Sequence, residues 1–203
     1  SCCGAERRTF SRTSSLSRTM RTEDTANGYG WVSIALHWLT AIVILTIWFI
    51  GSSITAQEDM AEHERLLRLH TSIAILAYAL LWVRIVWRFV KGHPGPLPGQ
   101  AGLFYAIGKY THYAMLAAIA VMLVSGPLMV WARGMPIHVF DWFAIAGPFG
   151  MSMTLYDVMH TAHVWCSRVI IIGTVLHIGG VYKHAAFNQD GTFGKMLVAS
   201  RKD

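Results

Sequence analysis

The sequence predicts an all-α integral membrane protein built as a bundle of four transmembrane helices, and three observations carry that prediction. Apolar residues make up 54% of the 203 and charged residues only 14%, a balance outside that of ordinary soluble domains. Four apolar stretches, about Trp31 to Ile54, Leu69 to Val90, Tyr113 to Val130 and Val164 to Val181, each come near the ~20 residues that a helix needs to cross about 30 Å of hydrocarbon. None alternates with period two and each is about twice as long as a barrel strand, which argues against a β-barrel.

Taken in order, residues 1 to 28 are rich in Ser, Thr and Arg, a composition expected of a disordered tail or the remnant of a transit peptide. Arg7-Arg8 is followed by no hydrophobic segment and so makes a poor twin-arginine export signal. Residues 29 to 203 form the four-helix domain. After the first span comes a loop that holds Glu58, Asp59, Glu62, Glu64, Arg65 and Arg68. The second span closes with Arg84 and Arg88, and Gly92-His93-Pro94-Gly95-Pro96-Leu97-Pro98-Gly99 follows it. That run cannot continue a helix, because proline lacks the amide donor and glycine carries the largest entropy cost. The third loop, Gly134 to about Tyr156, holds Phe140, Trp142, Phe143 and Phe149. Aromatic rings favour the headgroup level, so this loop is expected on the membrane face or folded over a site there. No internal repeat is visible.

The net charge of +6 does not mark a nucleic-acid partner, because the basic residues are divided among loops. Arg7, Arg8, Arg12, Arg18 and Arg21 precede the first span. Lys91 and Lys109 lie between spans two and three, and Lys183, Lys195, Arg201 and Lys202 follow span four. By the positive-inside rule both termini and the middle loop face the cytoplasm, or the matrix in a mitochondrial inner membrane. Cys2, Cys3 and Cys166 have neither zinc spacing nor a disulfide framework.

Ten histidines carry the chemistry. Polar groups inside hydrocarbon are costly and functional by default, and five lie near span ends: His37, His112 and His177 at the inner depth, His70 and His163 at the outer. His163 and His177 are 14 residues apart, which puts them about 21 Å apart along one helix and within roughly 40° of the same face. Depth pairs His70 with His163 and His37 with His177, giving two bis-histidine sites stacked across the bilayer. His112 is an alternative to His37, or a partner for a propionate or quinone. His160, one turn from His163, is an alternative to it. His63, His93 and His138 are expected in solvated loops, and His184 at the inner interface.

Zinc or copper would require three or four protein ligands per site, whereas haem needs two axial imidazoles and fills the gap between helices with its own apolar surface. Small residues near the ligands, Ala35, Thr71, Ser72, Gly173, Gly179 and Gly180, are expected to leave room for a flat ring. Arg84, Arg88 and Arg168 lie inside spans, where a guanidinium needs an anion, and haem propionates are the expected ones; for Arg88, snorkelling to the interface is an equal alternative.

The order and spacing of these residues resemble the bacterial cytochrome b561 family, within the wider group that includes cytochrome b subunits of nickel-iron hydrogenases and formate dehydrogenases. The resemblance runs from about Gly30 to Leu197. It rests on Ser33-Ile34-Ala35-Leu36-His37-Trp38-Leu39, on Leu69-His70 with Arg84, on His112 with Gly126, on His163 with His177, and on Asp190-Gly191-Thr192 before Met196-Leu197. It implies a four-helix bundle in a bacterial inner membrane with two b haems, ligated by His37 with His177 and by His70 with His163. It further implies ubiquinone as electron acceptor, and for short stand-alone members superoxide as donor. A redox partner protein, a dimer or a place as relay or anchor subunit of a larger respiratory complex is the alternative. The family often has paired histidines after the fourth helix, where Lys183-His184-Ala185 keeps one.

Overall fold

The structure, a computed structural model, describes residues 22, 24, 28–91, 102–183, 185–186 and 194–197. The Gly92 to Gly99 connection with His93, His184, Asp190-Gly191-Thr192 and most of the tail before residue 28 lie outside the described residues. Four helices dominate: α1 (Trp31–Thr55), α2 (Met60–Lys91), α3 (Leu103–Ala132) and α4 (Met153–Lys183). Each is long and apolar enough to cross a membrane.

The helices outlast the apolar runs, because backbone hydrogen bonding does not stop where hydrocarbon does. α2 begins at Met60, where the Asp59 carboxylate accepts the Ala61 amide at 3.0 Å, a side-chain cap for the first turn. Arg65 pairs with Glu62 at 2.6 Å and Arg68 with Glu64 at 3.6 Å, the three- and four-residue spacings that support a helix in water. Glu62, Glu64, Arg65 and Arg68, expected in the first loop, and His63 with them, therefore belong to α2, while Glu58 and Asp59 precede it. Ser152 caps α4, its hydroxyl accepting from the Leu155 amide at 3.4 Å. α3 ends where Gly134, at φ +72°, folds its amide back to the Trp131 carbonyl at 2.8 Å, a backbone shape that glycine adopts without strain.

The helices pack as two close pairs, α1 with α2 and α3 with α4. A buried core joins them through Ala77, Leu81 and Ile85 of α2, Leu116, Ile119 and Leu123 of α3, and Ile170 of α4. Lipid removes the hydrophobic drive between helices and leaves close fit to hold them, and Gly173 shows that fit: a Cβ there would lie 2.7 Å from Met115 Cγ. The space at Gly173, expected to serve a flat ring, is thus filled by α3. The backbones of α1 and α4 hardly meet, so a cleft separates them.

The third connection is an ordered cap rather than an irregular loop. β1 (Ile137–Val139) and β2 (Phe143–Ile145) pair antiparallel, with Ile137 opposite Ile145 and Val139 opposite Phe143. Ile137 and Val139 are buried and His138 between them is exposed, the alternation of a strand with one face on a core. Phe140, at φ +47°, is held in that uncommon conformation by Ser72 of α2: the buried Ser72 hydroxyl accepts the Phe140 amide at 2.6 Å and donates to the Arg68 carbonyl at 2.6 Å. Ser72 thus clamps the hairpin instead of making room for a ring. Trp131 Nε1 donates to the Ile145 carbonyl at 3.1 Å, and Trp142 at the tip stays exposed.

Replacing Ser72 by Ala leaves the Phe140 amide without its acceptor, which costs about 1–3 kcal/mol when the donor is buried. The expected result is a lower Tm in detergent and faster proteolysis between residues 134 and 151; a variant as stable and as resistant as the parent would contradict the clamp.

Candidate functional site

Histidine side chains cross the cleft at two levels. At the end of the bundle bearing the first and last described residues, His37 of α1 and His177 of α4 have ring centres 6.1 Å apart and planes at 70°. At the hairpin end, His70 of α2 and His163 of α4 have ring centres 6.4 Å apart and planes at 71°. Two imidazoles on opposite sides of one iron, each at a bond of about 2 Å with its nitrogen about 1.1 Å from the ring centre, have centres roughly 6.2 Å apart. Both pairs have the separation that an iron between two imidazoles demands. Among the described residues no group of three or more His, Cys, Asp or Glu is arranged to hold a metal ion, so a metal with only protein ligands has no such cluster there.

The other candidates are distributed unevenly. His112 has its ring centre 4.7 Å from that of His177, too close to oppose it across an iron; it packs edge-on against that ring. His160 stacks on Tyr156 at 5.5 Å, and the Arg133 guanidinium lies 5.5 Å from the Tyr156 ring. Arg84 and Arg88 line a small cavity with Asp24, Tyr29, Ser33, Trp87, His112 and Met196, beside the His37–His177 pair, where two guanidiniums suit paired carboxylates. Arg168 is not brought to the site. It is exposed, its guanidinium 4.7 Å from the Trp165 ring, and five residues from His163 it is turned about 140° away on the helix. Depth alone had suggested it; azimuth takes it out.

The segment before α1 closes the floor of this end. Asp24 accepts from the Gly30 amide and from the Ser33 hydroxyl, both at 2.8 Å, and Ser33 accepts Trp87 Nε1 at 2.7 Å. Tyr29 hydrogen-bonds Arg88; burial pushes its phenol above the ordinary value, the Arg88 charge opposing, so it stays a neutral hydrogen-bonding group near pH 7. From the other end of the chain, the 3₁₀ turn Gly194–Met196 accepts Trp38 Nε1 on the Met196 carbonyl at 3.0 Å.

At the hairpin end the two histidine rings are held by close contacts. His70 Nδ1 lies 3.0 Å from the Ile47 carbonyl, and His163 Nδ1 lies 3.2 Å from Ser125 Oγ. A Cβ on Gly51 would lie 3.0 Å from His70 Cε1, and one on Gly126 would lie 3.5 Å from His163 Cε1. Among the described glycines, these two meet the rings, whereas Gly179 and Gly180 face open space. Sequence reasoning missed Asp24, Tyr29, Ile47, Gly51 and Ser125. A signal for Gly51 was present: it follows His37 by 14 residues, the same interval that separates His112 from Gly126 and His163 from His177.

A sequence profile of the family described as prokaryotic cytochrome b561 matches residues 28–198. Cytochrome b561 homolog 2 of Escherichia coli (strain K12) is 29% identical over 181 residues, which cover 89% of this chain and 96% of that protein.

Gly51→Ala forces the His70 ring to move, because the added carbon would sit at 3.0 Å, tighter than ordinary contact. The expected outcome is a loss of bound haem, with Gly179→Ala, where space is open, keeping the parent's haem content. Equal haem content and spectra in all three proteins would remove Gly51 from the site.

Proposed function

The chain belongs to the prokaryotic cytochrome b561 family, and we propose that it is a di-haem b oxidoreductase that takes electrons from superoxide and delivers them to ubiquinone. Membership makes it a membrane electron-transfer protein of a family that carries b-type haem. The observation that supports two haems is the repetition of one geometry: ring centres 6.1 Å apart in one pair and 6.4 Å in the other, about 21 Å from each other along α4.

In this reading His37 with His177, and His70 with His163, are the residues that would hold the two haems, and Arg84 and Arg88 would pair with carboxylates of the one at the end bearing the termini. Bound between these imidazoles, haem supplies reversible one-electron chemistry. Two superoxide ions give up one electron each and leave as dioxygen, and one quinone takes both electrons with two protons to become a quinol. His112 and Tyr29 line the small cavity beside the His37–His177 pair, and this reading has the quinone and its protons approach there. The basic loops support an orientation with both termini in the cytoplasm. The hairpin end then faces outward, where Arg68 is paired with Glu64 and Asp141 and the Arg133 guanidinium lies against the Tyr156 ring. The relay-subunit reading draws support from Arg168, a cation on the outer flank of α4 that a partner's membrane segment would cover. Turnover of superoxide with a ubiquinone analogue by the purified chain separates the two.

A reduced-minus-oxidised spectrum with haem counted per chain tests the site itself. Two b haems are expected in the parent and one in each of His163→Ala and His177→Ala. No haem in the parent, or no loss in either variant, would return the histidines to a structural role.

A further inference from the structure

Ser125 is among the most deeply buried side chains of the described protein, 1% exposed on α3, and the hydrogen-bonding partner of its hydroxyl is Nδ1 of His163 at 3.2 Å. A buried hydroxyl is costly unless bonded, and the next residue, Gly126, is the one that lies against the same ring. Across the pair, His70 Nδ1 faces the Ile47 carbonyl at 3.0 Å. A carbonyl only accepts, so His70 carries its proton on Nδ1 and keeps the Nε2 lone pair for a metal.

We propose that Ser125 is the positioning residue of the hairpin-end centre, accepting Nδ1–H of His163 so that both imidazoles present Nε2 to one iron. The inference rests on the two-haem reading above. It assigns unequal roles to the two supports. The Ile47 carbonyl belongs to the α1 backbone and cannot be removed by substitution, whereas the Ser125 hydroxyl is a side chain that the sequence could vary. An acceptor on Nδ1–H makes the imidazole a better electron donor to its metal, which favours the oxidised iron and lowers the midpoint potential of that centre. A hairpin-end centre held low passes electrons readily toward the His37–His177 level, the direction that the proposed function needs.

The test is a potentiometric titration of the full-length protein in detergent, with haem counted per chain, for the parent, Ser125→Ala and Ser125→Thr; His163→Ala identifies which centre is which. The expected result is two haems in each serine-site variant, an upward shift of the hairpin-end midpoint in Ser125→Ala, an unmoved second midpoint, and parent behaviour in Ser125→Thr. Should Ser125→Ala release the hairpin-end haem, retention of both haems by Ser125→Thr supports the role of the hydroxyl, and loss in both variants overturns it. Unmoved midpoints in Ser125→Ala, or equal shifts in the Ala and Thr variants, overturn it as well. A parent without haem defeats the two-haem reading itself, whereas a two-haem parent with unmoved potentials defeats this inference alone.

Discussion

Fourteen residues of α-helix return to nearly the same face after about 21 Å, and the site depends on that interval. Each helix uses it once: His37 and Gly51 on α1, His70 and Arg84 on α2, His112 and Gly126 on α3, His163 and His177 on α4. Because neighbouring helices alternate in direction, the eight residues fall into two layers. One holds His37, Arg84, His112 and His177; the other holds His70 and His163 with Gly51 and Gly126. The layers are chemically unequal. The first is rich in hydrogen-bonding and cationic groups and meets the Asp24, Tyr29 and Arg88 cluster, while the second is tight and apolar except for the bonds to the two rings.

That inequality follows from how the bundle is held. In lipid the helices gain little from burying apolar surface against one another, so their separation is set by small residues and by whatever bridges them. α3 and α4 close up at Gly173 against Met115. α1 and α4 stay apart, and the side chains that reach toward each other across their gap are histidines. The cleft therefore lies where no such close fit joins two helices, and His37 and His177 reach into it.

Segments outside the helices are anchored near both levels of histidine. The hairpin is fixed through the hydroxyl of Ser72, two residues beyond His70, so the hairpin anchor and that histidine share a turn of α2. At the other end the chain before α1 and the turn near Met196 are bonded to α1 itself, through Ser33 and Trp38, on either side of His37. His37 and His70 thus each lie beside an anchoring contact, which couples the order of these segments to the orientation of those two rings.

Much of this was legible in the sequence. Four apolar runs fixed the number of spans, because hydrocarbon thickness sets a length that composition must match. Residue number along a helix is depth, so the two levels of histidine and their partners in depth could be read directly. Azimuth could not be read so well: Arg168 lies between His163 and His177 in depth, yet points outward to Trp165, since a side chain's neighbours depend on which face the packing turns inward. Nor could the extent of α2 before Leu69, whose charged turns are helical in water through ion pairs and a cap rather than through lipid. Ser72, Ser125, Gly51 and the Ile47 carbonyl belong to the same class. The sequence by itself determined the class, the spans and the depth of every ligand candidate, because those depend on composition and rise per residue; only the tertiary structure decided which glycine, hydroxyl and carbonyl touch which ring, because contact depends on the rotation and approach of helices that no single helix encodes.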